Sequence, residues 1–143
     1  MKTMIVILTS VLVLQLQSSL AASSEEEARF VAAVKQAFEK GDVDSLMSLT
    51  CWDRVPDKFK VRAKMHYARD IARTVTDVTL MNPDPKIRDI VWKDTNGVYY
   101  CSNLPVIKHL KITYAPGGQL KEGTYPVGEK DGKLYLLQQA PVK

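Results

Sequence analysis

Apolar residues change their spacing twice along this chain of 143 residues, and each change marks a different kind of segment. From Met4 to Leu14 they run nearly unbroken as MIVILTSVLVL. Further on, Phe30, Val31, Val34, Ala37 and Phe38 return at helical spacing and fall on one face. Ser24 with Glu27 three residues later reads as a capping box, and the glutamates at 25 to 27 suit a helix N-terminus. Gly41 suits the C-cap, so the spacing predicts a helix over about 24–40. Asp42 can cap a short second helix presenting Val43, Leu46 and Met47 before a turn at Thr50-Cys51-Trp52-Asp53. Pro56 suits a first helical position, and a third helix is predicted from there to about Arg73.

From Thr74 onward Val, Thr, Ile and Tyr dominate. Turn chemistry punctuates them at Asn82-Pro83-Asp84-Pro85, Thr95-Asn96-Gly97, Pro116-Gly117-Gly118 and Asp131-Gly132. These breaks predict strands near 74–81, 97–103, 107–115 and 120–127, with a closing strand at 133–139. Lys86 to Trp92 stays open, because Ile87, Ile90 and Val91 fit a helical face while the residue types favour a strand. Helices first and hairpin-linked strands afterwards give the α+β class: three N-terminal helices packed on a curved antiparallel sheet of about four to five strands.

The opening apolar run changes the expected compartment. A positive start at Lys2, a short apolar core and small residues at Ser19-Leu20-Ala21-Ala22 form a signal-peptide pattern, with cleavage after Ala21 or Ala22. The run is shorter than the roughly 18 to 20 residues a spanning helix needs, which argues against an anchor. No Cys follows the small residues, so a lipid-attached N-terminus is not indicated. The expectation is residues 1–21 as signal and 22–143 as one exported domain, in a periplasm or outside the cell. Lys2 leaves with the signal, and 19 basic against 16 acidic side chains remain, a net +3 too mild to imply nucleic acid. Cys51 and Cys101 are an even pair in an exported chain, so a disulfide is expected, stabilising by about 4 kcal/mol on the chain-entropy estimate, against two free buried thiols. Two cysteines without CxxC spacing or a clustered His make a poor zinc site; neither metal nor cofactor is implied.

The order of elements, together with FVAAVKQAFEKGDVDSLMSLTCWD and the ending TYPVGEKDGKLYLL, resembles the nuclear transport factor 2-like superfamily of cystatin-like cones. The resemblance covers nearly the whole of 22–143 and is one of shape more than of signature. It implies three helices against a bent sheet, a cavity between the third helix and the concave face, and a sheet able to pair two copies as a homodimer. The superfamily holds isomerases, dehydratases, epoxide hydrolases and polyketide cyclases beside many binding domains without catalysis, so fold leaves function open.

The third helix is where chemistry is expected. Phe59, Ala63, Tyr67 and Ile71 share a face, Asp70 projects among them, and His66 lies one turn earlier at i, i+4, close enough for the two side chains to touch. His66 and Asp70 are therefore candidate catalytic residues for proton transfer, with Asp70 as general base, against a plain structural role for both. Asp77, Asp89 and Glu122 are the strand-region acids that could complete such a site, and His109 has no adjacent partner. Trp52, Tyr67 and Tyr100 are candidate ligand-binding aromatics, against plain core. Tyr99 and Tyr100 point to opposite sheet faces, so one of them should be outward. Residues 54–73 hold seven basic side chains against Asp57 and Asp70, and Arg62 and Arg69 are the candidate contacts for an anionic partner. No phosphate loop, nucleophile elbow, HExxH or calcium loop is present. The leading expectation is a small apolar or amphipathic ligand, or a partner, bound in the cone without catalysis. The alternatives are a proton-transfer enzyme and an interaction module on the basic helix.

Overall fold

A computed structural model describes residues 22–88 and 90–143. The expected signal at 1–21 lies outside the described residues, as does Asp89. The chain belongs to the α+β class. Among the described residues, helices α1 (Ser24–Lys40), α2 (Val43–Ser48) and α3 (Asp57–Ile71) precede every strand.

Helix α1 begins one residue from the expected cap. Ser23 takes the cap, its hydroxyl accepting from the Glu26 backbone N–H at 3.1 Å. Glu26 does not close a box. Its carboxylate turns away to Arg29, with two contacts of 2.6 Å, and to the Leu134 backbone N–H at 2.9 Å. The helix stops because Gly41 takes left-handed φ of 66°, which lets the Gly41 and Asp42 N–H groups close on Phe38 and Ala37 carbonyls. Asp42 then caps α2, accepting from the Ser45 backbone at 3.0 Å and hydroxyl at 2.7 Å. Pro56 stands just outside α3 as its cap residue, without a side-chain bond.

Two antiparallel sheets follow. The first has strand order β1 (Val75–Met81), β4 (Lys108–Tyr114), β5 (Glu122–Lys130) and β6 (Lys133–Leu136). The second has order β2 (Trp92–Lys93), β3 (Tyr99–Ser102) and β7 (Gln139–Pro141). The open segment 86–92 resolves into both readings: a short helix α4 (Pro85–Arg88), then β2. The expected closing strand of 133–139 is instead two strands, because the chain leaves the first sheet after Leu136 and enters the second at Gln139.

Register places the core. Val78, Ile112 and Gly123 align across the first sheet, as do Leu80, Leu110 and Tyr125, so alternate residues of each strand share one inner face. That face packs against Phe30, Val34, Ala37 and Phe38 of α1, Leu46 of α2, and Ala63 and Tyr67 of α3, all buried. The other face is polar at Thr79, Lys111 and Thr124, which stand in register, with Lys111 paired to Glu122 at 2.8 Å.

The expected disulfide is not formed: Cys51 and Cys101 are both free. Alternation along β3 sets the side to which Cys101 points. Tyr100 is buried against Phe59, which sends Cys101 to the opposite side, where Arg54, Ile90 and Val91 line a groove. Cys51 is buried beside Val106 and Leu137.

Candidate functional site

Helix α3 buries Phe59, Ala63, Tyr67 and Asp70 along one stripe. The stripe does not pack flush along its length. Between it, Tyr125 of β5 and the second sheet lies a cleft of ≈ 380 Å³, lined by Phe59, Ala63, Tyr67, Asp70, Trp92 and Gln139 among others. A volume of that order suits one small molecule. Trp92, Tyr100 and Gln139 share a face of the second sheet by register. The Trp92 indole N–H donates to Gln139 Oε1 at 3.0 Å, and its ring stacks on Tyr100 with centroids 4.8 Å apart. Phe59 meets both rings edge-on. This wall is rigid because each ring is held by another.

The expected aromatic set therefore needs correction. Tyr67 lines the cleft, but Tyr100 lies behind Trp92 as its backing, and Trp52 is turned into the core with its indole N–H on the Met47 carbonyl at 2.9 Å. Tyr99 is the outward member of its pair, half exposed. Trp92, whose role the sequence leaves undecided because it ends the segment open between helix and strand, also lines the cleft.

His66 and Asp70 both line the cleft, yet they are not hydrogen-bonded to one another. His66 is exposed, and its Nδ1 faces Arg69 Nη2 at 2.9 Å. Asp70 is buried, and its carboxylate accepts from the Tyr125 hydroxyl and from Arg69 Nε at 3.3 Å. Burial and the bond to anionic Asp70 push the Tyr125 phenol far above its ordinary 10, so it stays protonated and keeps donating. A base needs a free lone pair aimed at its substrate. Asp70 has one oxygen under Tyr125 and the other beside a guanidinium, which is the arrangement of a buried, compensated charge.

Tyr67 is equally committed. Thr50 donates its one hydroxyl proton to the Leu46 carbonyl at 2.8 Å, so at the 2.9 Å contact between Thr50 and Tyr67 the phenol is the donor. Gln138 Nε2 in turn donates to the Tyr67 oxygen at 3.2 Å. Burial raises the Tyr67 phenol above its ordinary value as well. The chain Gln138, Tyr67, Thr50, Leu46 therefore runs in one direction and ties the cleft to the exit of α2.

Beneath the cleft Tyr114 is buried under Arg73, whose guanidinium carbon is 5.6 Å from the ring centroid. Among the described residues neither the Tyr114 hydroxyl nor Arg73 Nε meets a partner in good hydrogen-bonding geometry, although the Tyr125 hydroxyl lies near that of Tyr114. A buried unpaired hydroxyl costs free energy, so Tyr114→Phe should leave stability unchanged or raise it by up to about 1 kcal/mol, as read by urea unfolding. A loss above about 1 kcal/mol would mean that the hydroxyl has a partner in solution.

The strand-region acids do not join the site. Asp77 accepts from Thr79 at 2.8 Å, Glu122 pairs with Lys111, and Asp89 is outside the described residues. His109 is buried in β4 and accepts from the Asp84 backbone N–H at 3.3 Å. No group of three or more His, Cys, Asp or Glu able to hold a metal occurs among the described residues. No helix among them is long and apolar enough to cross a membrane.

The basic segment is mostly neutralised by its own fold. Lys58 pairs with Asp94 at 3.5 Å, Lys60 with Asp57 at 3.1 Å and Lys64 with Asp44 at 3.3 Å. Arg54, at a left-handed φ of 60°, spends its guanidinium on the Pro141 and Asn103 carbonyls. Arg62 has no carboxylate partner among the described residues and lies over the Phe59 ring at 5.4 Å. Of the two expected contacts for an anionic partner, Arg69 is paired with Asp70 and Arg62 lines the cleft. No known family model, curated protein or solved structure matches the chain.

Proposed function

We propose that this chain is an exported binding domain that holds one small apolar or amphipathic molecule in the cleft between α3 and the two sheets, without catalysis. The observation that carries the reading is an aromatic-walled cleft of ≈ 380 Å³ whose reactive-looking groups, Tyr67, Asp70 and Tyr125, are already committed to one another or to neighbours. A cleft of that size is within the range of small-molecule sites. The nuclear transport factor 2-like reading of the fold, with three N-terminal helices on a curved sheet, belongs to the same proposal. Helices preceding hairpin-linked strands and a cleft beside α3 support it. Export rests on the pattern at residues 1–21, and the secreted product should begin at Ala22 or Ser23.

Native mass spectrometry of the exported protein tests the binding reading. Extra mass present in the native spectrum, absent after denaturation and lost in Trp92→Ala supports it. A protein that carries nothing and gains no thermal stability from any member of a small-molecule library overturns it.

A second reading, proton transfer, has one observation in its favour: Asp70 is a buried carboxylate in the wall of the cleft. It requires that Asp70→Asn abolish an activity on enolisable ketones, epoxides or hydroxy compounds. We expect no such activity in the wild-type protein.

A further inference from the structure

Arg62 and His66, both exposed on α3, line the cleft, and Arg69 stands beside them on the helix. Arg62, His66 and Arg69 stand at i, i+4 and i+7 on α3, within about 60° of one another at the helical repeat. Arg69 donates to His66 Nδ1, so the neutral ring carries its proton on Nε2 and that nitrogen is a further donor. The spare hydrogen-bonding capacity on this line is therefore donor capacity, and two of its three members are cations.

Asp70 offsets Arg69 alone, pairing with its Nε at 3.3 Å. It is the carboxylate lining the cleft, and its oxygens take the Tyr125 hydroxyl and Arg69 Nε. Arg62 stays without a counter-ion among the described residues. The same lining is apolar and aromatic at Phe59, Ala63 and Trp92.

We propose that the occupant of the cleft is a small amphipathic acid, its oxyanion head held by Arg62 and its hydrocarbon or aromatic body laid against Phe59, Ala63 and Trp92. The proposal rests on the reading of this cleft as a ligand pocket. A guanidinium fork matches the two oxygens of a carboxylate, and the Phe59 face beneath Arg62 limits the directions in which that fork can point. A long polyanion fits less well. The lysines that would track it along the helix, Lys58, Lys60 and Lys64, are each paired with an aspartate of this chain.

Calorimetric titration with two matched pairs, 2-naphthoate against 2-naphthamide and decanoate against decanamide, tests the head group at nearly constant body. Each acid should bind about tenfold or more tightly than its amide, the order of effect of one charge-assisted contact. Arg62→Gln should bring the ratio within each pair close to one. Trp92→Ala, a change at a half-buried wall residue, should weaken acid and amide alike. Equal binding of acid and amide, with a ratio that Arg62→Gln does not move, overturns the acid proposal; the pocket itself still stands if Trp92→Ala weakens both compounds. Affinities that Trp92→Ala leaves untouched, or no binding of any of the four, overturn the pocket and the acid together.

Discussion

Tyr67→Ala is expected to lower the unfolding free energy by about 3–5 kcal/mol, the usual cost of truncating a fully buried aromatic residue. Tyr67 is only 1 % exposed and packs in the main core beside Phe30, Leu46 and Leu110, so few neighbours can collapse into the space it leaves. The hydroxyl adds a separable share. In Tyr67→Phe the ring remains, but Gln138 Nε2 loses its acceptor and Thr50 Oγ1 loses its donor, while the Thr50 bond to Leu46 persists. Removing one member of a buried pair costs about 1–2 kcal/mol, so Tyr67→Phe should sit between wild type and Tyr67→Ala in urea unfolding. A Tyr67→Phe protein as stable as wild type would mean that the hydrogen-bond chain from Gln138 to Leu46 contributes nothing. If Tyr67→Ala does not fold, Tyr67→Phe still tests the chain.

This residue also shows how far the sequence carries the site. Phe59, Ala63 and Tyr67 could be placed on one face of α3 because a helix sets its own neighbours at fixed spacing, and all three are buried. What those residues meet is decided by strand register and by which sheet a strand joins, and neither is local. Tyr125 reaches Asp70 only because β5 pairs with β4 so that Tyr125 shares the inner face with Leu110. Trp92 reaches the cleft because β2 joins the second sheet and not the first. His66 and Asp70 both line one cleft, but Arg69 between them in sequence bonds to each, so the two side chains do not meet. The disulfide was argued from count and compartment alone, and neither carries the geometry that leaves both thiols free.

The N-cap of α1 failed by one residue for a similar reason, and its correction leads to the other large expected effect. Ser23 with Glu26 meets the same capping-box spacing as Ser24 with Glu27, so spacing alone does not separate the two serines. The tie is broken by β6, an edge strand of the first sheet whose outward Leu134 N–H has no strand to bond. Glu26 supplies the missing acceptor at 2.9 Å, and its own charge is balanced by Arg29. Glu26→Ala removes that acceptor from a part-buried N–H and should cost about 1–3 kcal/mol, more than loss of a surface ion pair would. Glu26→Gln keeps an acceptor for Leu134 and removes the charge, so its cost should be smaller and dependent on pH. The Arg29 guanidinium, together with the Leu134 N–H, holds the Glu26 carboxyl below its ordinary 4.5. A folded-state value below the unfolded one gives stability that is fully present above about 4.5 and is lost as pH falls through the folded value. The gap between wild type and Glu26→Gln should therefore be constant from neutral pH down to about 5 and close below 4.5 as the wild-type carboxyl protonates. A gap that stays constant through that range would show that the charge of Glu26 contributes nothing, and an Ala variant as stable as wild type would show that solvent satisfies Leu134 as well as Glu26 does.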